Sequence, residues 1–171
     1  VDIIEIPRES SYLIALYLFD TTDLNEAIRE NQEQKMAAGL IYRDNYDEAL
    51  DSVEEVRRSL LVALIDRKIT KYISSLDGVV KKIEKDKYFI ALKYKSLREL
   101  QECRFSLLEE VKTVNIGNDM SVTLSIGIGV NGNGYLQNCE FARIAIEMAL
   151  GRGGDQAVVK DNESISYYGG K

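Results

Sequence analysis

The stretch Glu84-Lys85-Asp86-Lys87 sets acid, base, acid, base between two apolar arms, Val79–Ile83 and Tyr88–Leu92. It reads as a β-hairpin with a charged tip and no glycine, where a tight hairpin ordinarily takes Asn-Gly, Asp-Gly or Gly-Gly. An earlier apolar run, Leu40-Ile41-Tyr42, ends in Arg43-Asp44-Asn45. Asp44 and Asp86, brought together at strand ends, would be weak candidate ligands for a divalent cation that clamps nucleotide phosphates in displacement chemistry. Carboxylates at strand ends also serve as turn and cap residues, so both readings stand. The segment Gly151-Arg152-Gly153-Gly154-Asp155-Gln156 resembles a phosphate loop. It lacks the Gly-Lys-Ser/Thr ending and follows a helical pattern instead of opening one. Glycines with positive φ at a helix C-terminus account for it, and Arg152 is left as a candidate phosphate contact. Gly127 and Gly129 suit either close approach of a ligand or close packing of a helix on a strand.

The rest of the composition limits the chemistry. The 171 residues contain no histidine, which removes the commonest general base and the commonest metal ligand. Reactive groups are carboxylates, Lys and Arg, hydroxyls, Cys103 and Cys139. The two cysteines match no zinc spacing and are expected to be buried, reduced thiols among helical apolar positions. Lys and Arg total 22 against 28 Asp and Glu, a net charge of -6, which excludes a broad footprint for a nucleic acid polymer but allows a local basic patch. No apolar run is long enough to span a membrane, and no stretch of these residues is expected to be a signal peptide. The chain starts at Val1 and ends at Lys171 after Tyr-Tyr-Gly-Gly, and is expected to be a piece of something longer.

The elements that must position these residues follow from periodicity. Ser11 to Asp20 is almost wholly apolar and suits a buried strand, with Thr22 or Asp23 capping a polar helix from Leu24 to about Ala37. Leu24, Ala27 and Ile28 give that helix a thin apolar stripe, suited to a linker that pairs with a copy of itself. A strand at Leu40–Tyr42 precedes a long helix from about Asp47 to Ser74, with Leu61, Leu64, Ile65, Ile69 and Ile73 at helical spacing. Then come the hairpin, a second helix from about Ser96 to Lys112, a strand over Ser121–Val130, a third helix over Asn138–Leu150 and a last strand, Gln156–Lys160. Residues 161–171 read as a linker. Tyr167-Tyr168 is read there as an interface or linker contact. The order β-α-β-β-α-β, then α-β, predicts an α+β, ferredoxin-like or nucleotide-cyclase-like sheet with helices on one face.

This order and these residues together resemble the GGDEF domain of cyclic-di-GMP synthases over about Gly39 to Val159. Glu84-Lys85-Asp86-Lys87-Tyr88 stands where that family has Gly-Gly-Asp-Glu-Phe. "SVTLSIGIGV" is similar to the family's "VTVSIGVA" strand, and "FARIAIEMALGRGGDQAVV" resembles its closing segment. The departures imply a degenerate site. Two side chains fill the glycine positions, the metal-binding fourth position is Lys87, and the strand motif Asp-x-Asp reads Tyr42-Arg43-Asp44. The asparagine that reads guanine falls on Leu50. Synthase activity is therefore expected to be absent.

The flanks narrow the resemblance. "YLIALYLFDTTDL" looks like the last strand and exit of a PAS domain. "ALGRGGDQAVVK" followed by "YYGGK" is similar to the membrane-bound cyclic-di-AMP phosphodiesterases of Firmicutes, the GdpP/YybT family. That resemblance implies residues 1–20 as the end of a PAS domain, 21–38 as a linker helix, 39–160 as a degenerate GGDEF domain and 161–171 as a linker. It also implies a parent with two transmembrane helices, a haem-binding PAS sensor and a DHH-family module. That module would use Mn²⁺ to hydrolyse cyclic-di-AMP to pApA. This chain would then be a homodimeric, cytoplasmic, regulatory part of a plasma-membrane protein, with no hydrolytic residues of its own. The family is associated with weak ATP hydrolysis, which implies Mg²⁺-ATP as a candidate ligand at Asp44, Asp86 and Arg152. A passive dimerising spacer is the remaining alternative.

Overall fold

The computed structural model describes residues 20–170. The apolar strand expected over Ser11–Asp20, and with it the PAS assignment of residues 1–20, lies outside that range except for Asp20. The chain divides into two units, 1–32 and 33–171. The helix α1 (Thr22–Glu33), all but its last residue in the first unit, has no buried residue, and Asp20 accepts hydrogen bonds from the Thr22 amide and hydroxyl at its start. The helix ends four residues before the expected Ala37, because the Met36-Ala37-Ala38-Gly39 run is strand.

The second unit is a six-stranded sheet in the order β2-β3-β1-β4-β5-β6. Its central strand β1 (Met36–Arg43) pairs antiparallel with β3 (Lys87–Lys93) on one side and β4 (Leu124–Gly129) on the other. The edge strand β2 (Val79–Lys82) joins β3 through the charged hairpin, and β5 (Gln156–Lys160) runs parallel to β4. β3 buries Tyr88, Ile90 and Leu92 in strict alternation, whereas β4 is buried at every position. Alternation means one covered face, and continuous burial means two.

Both faces are indeed covered, which corrects the expectation of helices on one face. α3 (Glu55–Ser75) packs Leu61, Ile65, Ile69 and Ile73 on the main core, with α4 (Tyr94–Glu102) and α5 (Leu107–Lys112) beside it. α6 (Tyr135–Gly151) covers the other face with Ala142, Ala145, Ile146 and Ala149. Gly127 and Gly129 make that approach possible. A Cβ on Gly127 would lie 2.4 Å from the Ile146 amide nitrogen, and one on Gly129 would lie 1.9 Å from the Asn138 carbonyl oxygen.

Two expected long helices are broken. The first divides into α2 (Tyr46–Asp51) and α3, because the Ser52 hydroxyl donates to the Ala49 carbonyl and Val53 turns into the core. The second divides into α4 and α5, because Arg104 and Phe105 take left-handed φ of 51° and 55°. That turn buries Phe105, whose ring meets Tyr168 at 5.0 Å. Cys103 closes α4 and is exposed, and Cys139 is half-buried, so neither is the buried thiol expected. Finally, Ile165–Gly169 within the expected linker form β6, antiparallel to β5.

Gly129→Ala should cost about 3 kcal/mol or leave the chain unfolded, since the new methyl meets helix backbone. Gly151→Ala, with open space around it, should stay within about 0.5 kcal/mol of the parent. Urea denaturation followed by circular dichroism reads both.

Candidate functional site

The hairpin tip closes without glycine because it needs no left-handed residue. The Lys87 amide donates to the Glu84 carbonyl at 3.4 Å, and the Ile83 and Glu84 amides donate to the Lys87 carbonyl at 2.9 and 3.2 Å. None of Glu84, Lys85, Asp86 or Lys87 has positive φ. The tip is then tied down by its own side chains. Lys85 reaches α2 and meets the Asp47 carboxylate at 2.9 Å, and that contact holds its pKa above the ordinary lysine value. Lys87 pairs with Glu84 at 2.8 Å, which likewise raises its pKa, and lies 5.3 Å over the Tyr42 ring.

Beneath the tip lies a buried cation. Strand alternation turns Arg43 toward the α3 face, where its side chain is fully buried. Its amide donates to the Asp86 carbonyl at 2.9 Å and its guanidinium donates to the Lys85 carbonyl. Asp66, on the α3 turn that carries Ile65 and Ile69, lies 3.4 Å from the guanidinium and takes a second ion pair from Lys82 at 2.8 Å. Asp66 also accepts the Tyr88 hydroxyl. Burial, then that hydrogen bond, raise the Tyr88 phenol far above its ordinary pKa. The guanidinium stacks over Tyr46 at 4.5 Å and Tyr88 at 5.4 Å, while its Nε and Nη1 find no hydrogen-bond acceptor. Ring faces partly offset the loss of water around such a cation.

Asp44 goes elsewhere. Its Oδ2 accepts the Asp155 amide at 2.9 Å, and a Cβ on Gly154 would touch its carboxylate at 2.8 Å. The α6–β5 turn therefore wraps Asp44, with Gly153, Gly154 and Asp155 at φ of 100°, 72° and 53°. In strand order that turn lies on the β4 side of β1, away from the hairpin. The backbone bond from Arg43 to Asp86 marks those two residues as cross-strand neighbours, leaving Asp44 out of register with Asp86. Arg152 donates to Gln156 at 3.1 Å and stacks 4.6 Å over Tyr167. Leu50, at the expected base-reading position, packs on the core. Among the described residues no cluster of three or more His, Cys, Asp or Glu side chains could hold a metal. The donor set does not fit Mg²⁺: one carboxylate is spent on a turn, the other stands alone, and Lys87 is a cation.

The sequence pointed to the tip but missed Arg43, Asp47 and Asp66. The signal for Asp66 was its place beside Ile65 in the apolar stripe of α3. Arg43 offered the arginine itself, at the end of a run buried on both faces.

Comparison with known proteins places the chain. A family model described as the GGDEF domain of cyclic-di-AMP phosphodiesterase GdpP-like proteins matches residues 41–167. The chain is 33% identical over 157 residues to the cyclic-di-AMP phosphodiesterase PdeA of Listeria monocytogenes, a match covering 91% of this chain and 24% of that protein. It is 30% identical to the cyclic-di-AMP phosphodiesterase GdpP of Geobacillus thermodenitrificans, with the same coverages. The chain thus spans about a quarter of the length of the curated relatives it matches. Among solved structures, the active GGEEF domain of a diguanylate cyclase from Vibrio cholerae superposes with a TM-score of 0.62 at 12% identity, over 80% of this chain and 88% of that one. The GGDEF domain of DgcB from Caulobacter crescentus, in complex with c-di-GMP, gives 0.62 at 14% identity, over 92% and 100%. At those identities the likeness is one of fold. The chain belongs to the family of GGDEF domains found in GdpP-like cyclic-di-AMP phosphodiesterases.

Proposed function

We propose that this chain is a regulatory GGDEF domain without synthase activity. It relays the state of a preceding PAS sensor to the hydrolytic module of a parent cyclic-di-AMP phosphodiesterase. The observation that carries the reading is the fate of the motif lysines and of the tip backbone, which are spent on internal contacts. Lys85 is held by Asp47, Lys87 by Glu84, and the tip backbone by Arg43. A tip locked from below and from the side leaves the two glycine positions closed to a triphosphate. It also couples the hairpin to α2 and α3, a route by which a change at one end of the domain is felt at the other. In this reading haem and Mn²⁺ belong to other parts of the parent, and the fragment sits on the cytoplasmic side of a membrane protein. One relative, from Onion yellows phytoplasma, carries the name of a membrane protein fused to ribosomal subunit bL9. Exposed Leu24 and Ile28 on α1 suit self-association of the linker into a homodimer. An ATPase built on Asp44 and Asp86 is disfavoured by the separate engagement of Asp44.

Incubation of the chain with GTP and Mg²⁺ should yield no cyclic-di-GMP by mass spectrometry, and product formation would sink the reading. In the full-length phosphodiesterase, replacing the Glu84–Lys87 tip by a neutral Asn-Gly turn should change either the rate of cyclic-di-AMP hydrolysis or its response to the PAS ligand. If both stay unchanged, the domain is a spacer. Asp66→Asn should destabilise the fold by about 2 kcal/mol by stranding the Arg43 charge, the figure being set low because Asp66 is partly exposed. Arg43→Met, apolar and of similar volume, should be near neutral in stability while speeding amide exchange at residues 85–87, measured by NMR.

A further inference from the structure

A groove of about 640 Å³ runs between α3 and α5, on the far side of the core from α6. Leu64 and Val114 contribute apolar lining, and Arg67, Lys68 and Lys71 stand along it, three cations against the single carboxylate of Glu110. On α3 these residues recur at three- and four-residue steps, so one helical stripe presents them together. Lys68 spans the groove, 3.4 Å from the Thr113 hydroxyl and 4.0 Å from Glu110. Arg67 and Lys71 are exposed and make no hydrogen bond or ion pair among the described residues. Tyr72 borders the same groove, its hydroxyl bonded to Ser106 at 2.9 Å. Burial, then the Cys103 contact, push its phenol up to about 12, so it adds no negative charge at neutral pH.

In a chain of net charge -6, a concave surface with this local excess of positive charge is out of keeping with its surroundings. Two unpaired cations on the rim of a partly apolar pocket match a ligand with a phosphate at one end and a flat or apolar body at the other. The volume lies in the range of sites for small organic molecules. We infer that the α3–α5 groove binds a phosphorylated small molecule of nucleotide size, with Arg67 and Lys71 on the phosphate and the body against Leu64, Val114 and Tyr72. The inference is independent of the hairpin and of the relay proposed above.

The test uses the 171-residue chain, AMP and pyrophosphate as probes, adenosine as the uncharged comparison, and a chelator to exclude divalent ions. Both anions should shift the backbone amide signals of residues 64–75 and 110–115, and adenosine should bind about tenfold more weakly than AMP or worse. Arg67→Glu with Lys71→Glu should raise the dissociation constant for AMP at least about tenfold. An equal charge reversal on α4, Lys95→Glu with Arg98→Glu, should change it by less than about twofold. Arg67→Ala with Lys71→Ala serves as the second variant if the reversed pair perturbs folding, and should also lose about tenfold. Shifts confined to residues 84–87, an unchanged constant in the groove variants, or no shift up to about 10 mM probe would overturn the assignment. So would a response to poly-glutamate without one to AMP or pyrophosphate, which would make the groove a protein-docking surface.

Discussion

A charged guanidinium in the interior at the end of the central strand is the constraint around which this end of the domain is arranged. Burying Arg43 strips it of water, at a cost of several kcal/mol unless neighbours replace what water supplied. Asp66 gives the counter-charge, Tyr46 and Tyr88 give ring faces, and the Lys85 carbonyl gives an acceptor. The last of these is the consequential one. To satisfy a core arginine the chain brings the backbone of the hairpin tip down onto it, so the loop's position is fixed from inside the protein. A tip that clamps phosphates through a divalent cation takes its positive charge from the bound metal. Here the positive charge is covalently part of β1.

Once the tip is fixed, its side chains need only local partners. Lys85 lies over α2 and Lys87 over Glu84 and Tyr42, all at the surface. Exposed pairs of this kind contribute little each to stability, so they orient the loop more than they hold it. Holding is done by Arg43 and by the β1–β3 ladder. On the opposite side of β1, Asp44 has a separate task, holding the left-handed turn that carries the chain from α6 into β5. Strand alternation thus separates Asp44 from the arginine beside it. One residue of register decides that Arg43 goes to the α3 core while Asp44 goes to the α6 turn.

Much of the sheet is legible in the sequence alone. The apolar arms of the hairpin and the Ser121–Val130 strand are local patterns, and of the two readings open for Gly127 and Gly129 the structure contains the close helix contact. What was not legible depends on tertiary context. The breaks at Ser52–Glu54 and Cys103–Ser106 have neither proline nor glycine. Val53 and Phe105 are simply worth more in the core than the helix turns they interrupt. β6 was missed because a half-exposed edge strand lacks alternation, and its half-buried Tyr168 packs on Phe105 from a distant element. In the site, the tip residues could be placed from their order, but the roles of Arg43 and Asp66 could not. Arginine is ordinarily a surface residue, and its partner lies one helix away in sequence.

The charge distribution follows from the same separation of tasks. The hairpin tip is held from beneath by Arg43, while another concentration of positive charge lies on the outer face of α3. That helix touches both places: Asp66 and Ile65 face Arg43 and the core, and Arg67, Lys68 and Lys71 line the groove. The 21-residue helix thus carries the counter-ion of Arg43 and the basic residues of the groove on different parts of its surface. In the relay proposed above, a displacement of α3 would be felt first at Asp66, the counter-ion of Arg43, and so at the hairpin backbone that Arg43 holds.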